Sequence, residues 1–298
     1  MAFSGQPDFT QVANFRWLDE LKAKHGIDAE PLIFEGTDPP FRAVISGDAD
    51  MVVGQVPPGI KLVLEASEDL QMIGADVAAS DYLLVSTSDI NTPTDLYGKK
   101  VGTAGAGAVS DSLTLAALKR QGIDTSQIEF VQIGGTGARM AALLSNQVSA
   151  GAAHAAEGYD AVSKGLNELL PIGEALGPYL FHGVWAKKTW LDANPNLAQI
   201  AIDEFMESVR WAAGNKDDYI AIAKTKVEGL SDDAMSKAYD LFLRIKLFAV
   251  NGGLEPATVD ATIALEQEVG GLPADIPPTD QWLNDTFVQS YLERNGSQ

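Results

Sequence analysis

Short apolar runs alternate with helical patterns along the first two thirds of the chain, and this alternation constrains the fold more than any single motif. The runs are "PLIFEG" (31–36), "MVVGQV" (51–56), "QMIG" (71–74), "YLLVST" (82–87), "KKVGTAG" (99–105), "IEFVQIG" (128–134) and "SAGAAHA" (149–155). Between them, Leu115 and Leu118 share one helix face, and Met140, Leu143, Leu144 and Val148 share another. Strands alternating with helices of this length predict an α/β fold built on mainly parallel sheets. Beyond about residue 190 the periodicity becomes helical, over 195–214, 217–228, 231–248, 256–268 and 282–294.

The pattern also repeats. "GIDAEPLIFEG" (26–36) matches "GIDTSQIEFVQ" (122–132) at Gly26/Gly122, Asp28/Asp124 and Phe34/Phe130, and "RAVISGDADMVVGQ" (42–55) parallels "RMAALLSNQVSAGAAH" (139–154). Two lobes of similar topology are therefore expected, with Gln55 and His154 at equivalent strand ends. Ligands of open α/β sheets lie beyond the carboxyl ends of the strands. Here those ends are the loops 5–10, 54–59, 75–81, 104–110, 134–138 and 154–158, nearly all built of small or polar residues. They nominate Phe9, Thr10, Gln55, Asp81, Gly107, Ala108, Ser110, Thr136 and His154 as ligand-binding residues.

The glycine loop "GTAGAGAVSDS" is not a nucleotide loop. It lacks the Gly-Lys-Ser/Thr ending of a phosphate loop, and its G-x-x-G-x-G spacing is not the dinucleotide fingerprint. Two readings of it stay open: helix-terminal amides facing a ligand oxygen, with Ser110 or Asp111 as cap, or small residues for close packing. "GGTGAR" (134–139) has the same character. Arg139 stands in a helical stretch, a position that suits a surface role.

The three histidines, His25, His154 and His182, have no metal-ligand spacing, so no metal is expected. His25 reads as a helix C-terminal dipole partner. His154 and Glu157 stand three residues apart, with His154 read as a polar ligand contact. No nucleophile elbow occurs. Phe9, Tyr82, Tyr179, Phe181 and Trp185 fall at loops or strand ends, and together suit a cleft wall for an organic solute. Trp185 joins the site on that basis.

Composition narrows the partners. With 41 acidic and 21 basic residues among 298, the net charge is −20, which opposes nucleic acid and anionic membrane surfaces. No cysteine is present, which excludes disulfides and thiolate chemistry. No apolar run approaches the ~20 residues of a membrane span. The start "MAFSGQPDF" lacks the charged and apolar regions of a signal peptide.

"GIDAEPLIF", "AVISGDADMVVGQVPPG", "DLYGKKVGTAGAGAVSDSLTLAALKRQGID", "VQIGGTGARMAALLSNQVSAGAAHAAEGYD" and "WLDANPNLAQIAIDEFMESVRWA" follow one another in an order that resembles ABC-importer solute-binding proteins of the NitT/TauT (nitrate, sulfonate, taurine) type. The resemblance spans about residues 10 to 215. It implies a two-lobed periplasmic-binding-protein-like fold with two hinge crossovers near 80–86 and 182–188. Lobe one would be 1–82 plus 187–298, and lobe two 83–186. It further implies a monomeric, non-enzymatic receptor, periplasmic or extracellular, without cofactor. Such a receptor would bind a small-molecule solute, here an organic anion of the aromatic carboxylate or sulfonate class, and serve a membrane ABC permease. The alternatives are a thiamine-precursor or flavin binder of the same fold, or a metabolic enzyme using His154 and Glu157 as an acid–base pair.

Overall fold

Runs rich in β-branched and aromatic residues, bounded by glycine turns, pair into two five-stranded sheets. The computed structural model describes residues 1–298 except 5–7, 35, 37, 67, 68, 106 and 277. Residues 5–7 of the first expected cleft loop, Glu35 of "PLIFEG" and Ala106 of the glycine loop thus lie outside the described residues.

The chain starts with β1 (Ala2–Ser4), α1 (Val12–His25), β2 (Leu32–Phe34), α2 (Asp38–Ser46), β3 (Met51–Gln55), α3 (Val56–Ala66) and β4 (Leu70–Val77). It crosses to the second sheet for β5 (Leu83–Ser86), β6 (Lys100–Thr103), α4 (Val109–Arg120), β7 (Glu129–Gln132), α5 (Thr136–Leu144), β8 (Ala150–Ala153), α6 (Ala155–Ser163) and β9 (Asn167–Pro171). Through α7 (Ile172–Leu176) it returns as β10 (His182–Lys187). The helices α8 (Lys188–Ala193), α9 (Pro195–Gly214), α10 (Lys216–Lys226), α11 (Asp232–Arg244), α12 (Pro256–Glu268) and α13 (Thr286–Asn295) complete it.

Strand order is β2-β1-β3-β10-β4 in one sheet and β7-β6-β8-β5-β9 in the other. In each, the first three strands run parallel and the strand arriving from the other lobe inserts antiparallel. The repeated segments therefore occupy equivalent places: β2 matches β7, and β3 matches β8. All of β10 pairs in the first sheet, so residues 182–186, which the sequence grouped with the second lobe, hydrogen-bond with the first.

The first lobe packs around Trp17, Trp185 and Trp282, none of them exposed. Trp17 meets Phe205 of α9 at 5.1 Å and donates its indole N–H to Ala201 O at 2.8 Å. Burying side chains of this size stabilises by about 2–3 kcal/mol each. The outer edge of β4 is not left open, a hazard in any sheet: Ala75 N bonds Gly252 O, and Met72 N bonds Trp282 O. Helix α11 packs along α6, and α12 touches α4, so the helical C-terminal part spans both lobes.

The two crossing segments run against each other. Ile172 N donates to Tyr82 O at 2.9 Å, and Tyr179 N to Ala78 O at 3.0 Å. Gly173 is required there because a Cβ would stand 2.1 Å from the backbone oxygen of Ser80. Backbone cannot yield as a flexible side chain can. Gly173→Ala should therefore destabilise the protein by about 3 kcal/mol, read as a lower midpoint in urea unfolding. An unchanged midpoint would show that the segments are not tightly held.

Candidate functional site

The carboxyl ends of both sheets face one cavity of about 620 Å³. Its lining includes Gln55 and Pro58 from the first lobe, and Gln132, Thr136, Arg139 and His154 from the second, with Tyr82 at the crossing. Gly105, Gly107, Ala108 and Ser110 of the glycine loop complete one side.

The loop is glycine-rich because its backbone demands it. Gly105 and Gly107 have φ of +135° and +84°, a region that L side chains avoid. The Asp111 carboxylate accepts from Ala104 N at 2.9 Å and Gly105 N at 2.8 Å. Asp111 thus clamps the loop, and the residue at the N-cap of α4 is Ala108, which caps nothing. Helix α5 likewise starts at Gly135 with no side-chain cap. First-turn amides have no intrahelical acceptor, and the helix dipole adds partial positive charge. Two such helix starts on one cavity favour an anion.

Arg139 lies at the same wall and is 2% exposed, not a surface residue. Its guanidinium donates to Ala152 O at 2.7 Å, Gly134 O at 2.5 Å and Thr136 Oγ1 at 3.3 Å. Burial lowers its pKa from the ordinary value, yet a guanidinium remains protonated in proteins. No carboxylate forms an ion pair with it among the described residues. The small strand "AGAA" (β8) packs against it, and a Cβ on Gly151 would stand at ordinary contact distance, 3.6 Å, from Arg139 Cβ.

His154 lies beside it, with a tilted ring 4.5 Å from that of Tyr82. Its Nδ1 meets Asp81 Oδ1 at 3.0 Å, and the side chains are 20% and 1% exposed. Asp81 Oδ2 also accepts from Ala155 N at 3.2 Å, capping α6 from another element. Burial pulls the His154 pKa down, but Asp81 and the Tyr82 phenol outweigh it and hold it well above the ordinary value. The imidazole is therefore charged at neutral pH, with Nε2–H as its second donor.

Of the residues singled out from sequence, Gln55, Gly107, Ala108, Ser110, Thr136 and His154 come together on this cavity. Asp81 stands behind His154 as its partner. Phe9, Thr10 and Trp185 are placed elsewhere. Phe9 is buried against Tyr219 at 5.2 Å and Phe242 at 5.5 Å, rings from α10 and α11 that no local pattern foretells. Thr10 donates through N and Oγ1 to Asp8 Oδ1, turning the chain into α1. Trp185 is sealed between Phe41 and Trp282. Tyr179 and Phe181 are also buried, leaving Tyr82 as the aromatic ring of the lining among the described residues. Glu157 is not on the lining; its Oε2 is buried without a partner among the described residues, and burial raises its pKa. His25 bonds Glu204 of α9 at 3.0 Å.

Two lobes that turn their strand ends towards one cavity define a cleft-forming protein of the periplasmic-binding-protein fold. The ligand-binding component of an ABC-type import system from Staphylococcus aureus, with zinc bound, matches at a TM-score of 0.78 and 10% identity over 98% of both chains. The alkanesulfonate-binding protein SsuA from Xanthomonas axonopodis pv. citri, bound to MOPS, matches at 0.72 and 19% identity over 95% of this chain and 98% of that one. DSZB, a desulfurization enzyme in complex with biphenyl-2-sulfinic acid, matches at 0.71 and 16% identity over 99% of both. A comparison with curated protein sequences finds no match. The chain belongs to the NMT1/THI5 like family, whose model matches residues 21–217.

Proposed function

We propose that the protein is the solute-binding receptor of an ABC importer, taking a small organic anion of the sulfonate or aromatic carboxylate class into its cleft. The observation that carries this reading is Arg139: a buried cation bonded to neutral oxygens, beside the uncapped starts of α4 and α5. A buried charge without a direct ion-pair partner is costly; the Asp111 carboxylate acts on Arg139 without pairing with it, and an anion in the cavity would supply the contact. Tyr82, on the lining, would be the ring nearest an aromatic solute. The SsuA and S. aureus neighbours, an alkanesulfonate-binding protein and an import-system component, support the same direction.

Closure would be a hinge rotation about the paired segments 78–82 and 172–181, bringing Gln55 towards the helix starts opposite. The partner would be a membrane permease, with the receptor, a monomer, working outside the cytoplasmic membrane. No helix among the described residues is long and apolar enough to cross a membrane.

A thermal-shift screen of sulfonates, aliphatic and aromatic carboxylates, thiamine precursors and flavins tests the class. A ligand at 100 times its Kd adds ~2.7 kcal/mol of stability, and a smaller radius of gyration in solution scattering would report closure. A shift confined to flavins or thiamine precursors would refute the sulfonate and carboxylate class. The His154–Asp81 pair favours a second reading, an enzyme on the scaffold that DSZB shares. Ligand recovered unchanged after long incubation supports the receptor; a new product supports the enzyme.

A further inference from the structure

At the end of the first sheet opposite the cleft, the amino ends of β1, β2 and β3 open into a groove of about 290 Å³. Leu21 of α1, Leu32 of β2, Met51 of β3, Trp190 of α8 and Leu197 of α9 form its apolar wall. Trp190 is half-buried and Leu197 is 37% exposed, so part of this wall faces water. Apolar surface framed by polar groups marks a place where another molecule docks.

The frame here has one sign. Asp28, Glu30, Asp48 and Asp50 surround the groove, and all four are exposed. Lys22 pairs with Asp28 at 2.9 Å. No lysine or arginine forms an ion pair with Glu30, Asp48 or Asp50 among the described residues. The Met1 amino group, also on the lining, donates to the backbone Glu30 O at 3.1 Å and answers one of these charges at most.

Charge selects the occupant. The chain carries a net charge of −20, so a second copy would bring acid to acid, and nucleic acid or an anionic membrane would be repelled in the same way. A bare metal ion would leave the apolar wall unused, and no group of three or more metal-ligating side chains occurs among the described residues. What complements both wall and frame is a chain segment with an apolar side chain between basic ones.

We propose that this groove docks a basic segment of a partner protein, which sets an apolar side chain against Trp190 and Leu197 and lysine or arginine on the acidic frame. Met51 begins β3 in the groove and Gln55 ends it at the cleft cavity, about 13 Å further along the strand. The two linings share no residue. The partner can therefore hold the protein while the cleft stays open to its solute.

Titration calorimetry with three end-blocked heptapeptides tests it: Lys-Arg-Leu-Trp-Leu-Arg-Lys, the same peptide with serine at its three apolar positions, and Glu-Asp-Leu-Trp-Leu-Asp-Glu. The first should bind at least about tenfold tighter than the second, and the third should not bind. Asp48→Asn/Asp50→Asn should weaken the first at least about fivefold more than Glu228→Gln/Glu293→Gln, which removes the same charge outside the groove. Leu197→Ser should reduce the preference for the first peptide over the second to less than about threefold. All five positions are exposed, so the variants keep the fold. If the serine peptide binds as tightly as the first, or both double variants weaken binding equally, the attraction is that of the whole acidic surface and the docking site is overturned. Self-association in sedimentation, with no preference among the peptides, overturns it in favour of a second copy.

Discussion

Replacing Arg139 by methionine should abolish anion binding and lower stability together, the largest combined effect expected of any single change at the cleft. Methionine fills much of the same volume but donates nothing to the buried Ala152 O or the half-buried Gly134 O. Hydrogen bonds to a charged group are worth about 1.5–3 kcal/mol, and carbonyls left unpaired add to the loss. A total near 3 kcal/mol is expected, a fall in Tm of about 5 °C for a chain of this size. Removing a cation from a desolvated anion site costs 2–5 kcal/mol of affinity, at least about thirtyfold.

Arg139→Lys separates the two roles. Lysine restores the charge but not the planar fork that reaches two carbonyls at once. It should recover part of the affinity and little of the stability. Unchanged anion affinity in Arg139→Met, with lower stability, would reduce Arg139 to a structural clamp.

Asp81→Asn should produce the second largest effect and the clearest signature in pH. Removing one partner of a buried ion pair costs about 3–5 kcal/mol, and the carboxylate that caps Ala155 N is lost as well. The sign follows from His154, whose folded pKa lies above its unfolded value. Its stabilising contribution is complete below the unfolded value of about 6.5 and fades as pH rises through the raised folded value. Wild-type stability and anion affinity should therefore hold through neutral pH and decline above it. In Asp81→Asn the His154 ring should titrate near or below about 6.5, with the decline in affinity moved to lower pH. A proton NMR titration of the ring reads this directly. A wild-type His154 that titrates near its ordinary value would contradict the account.

The architecture was legible because it rests on local pattern. Hydrophobic periodicity set strands β2 to β8 but not β1, β9 or β10, and the Gly-Ile-Asp repeat reported two sheets of one topology. Gln55 and His154 reach the cavity lining for the same reason, since equivalent strand ends follow from the repeat. What the sequence hid was contact between distant segments. Phe9 resembles a cleft aromatic until Tyr219 and Phe242, more than 200 residues later, bury it. Trp185 was read at a crossing, but β10 enters the first sheet and stacks it on Trp282 at 6.2 Å.

Arg139 was ambiguous because a helical arginine is usually solvated. Its burial is set by another segment, β8, whose Ala152 O accepts from the guanidinium. Asp111 was read as a helix cap, yet it bonds amides six and seven positions earlier. In the repeat Gln132 matches Gly36, and both line the cavity, but the difference in residue type concealed the part of Gln132 in the lining.

Titration calorimetry of the wild type with a sulfonate and carboxylate panel, repeated on Arg139→Met, tests the central claim most directly. The account predicts saturable one-to-one binding of at least one organic anion, lost in the variant, with the anion recovered unchanged. Binding that persists undiminished in Arg139→Met, or a panel to which the wild type is indifferent, would contradict it.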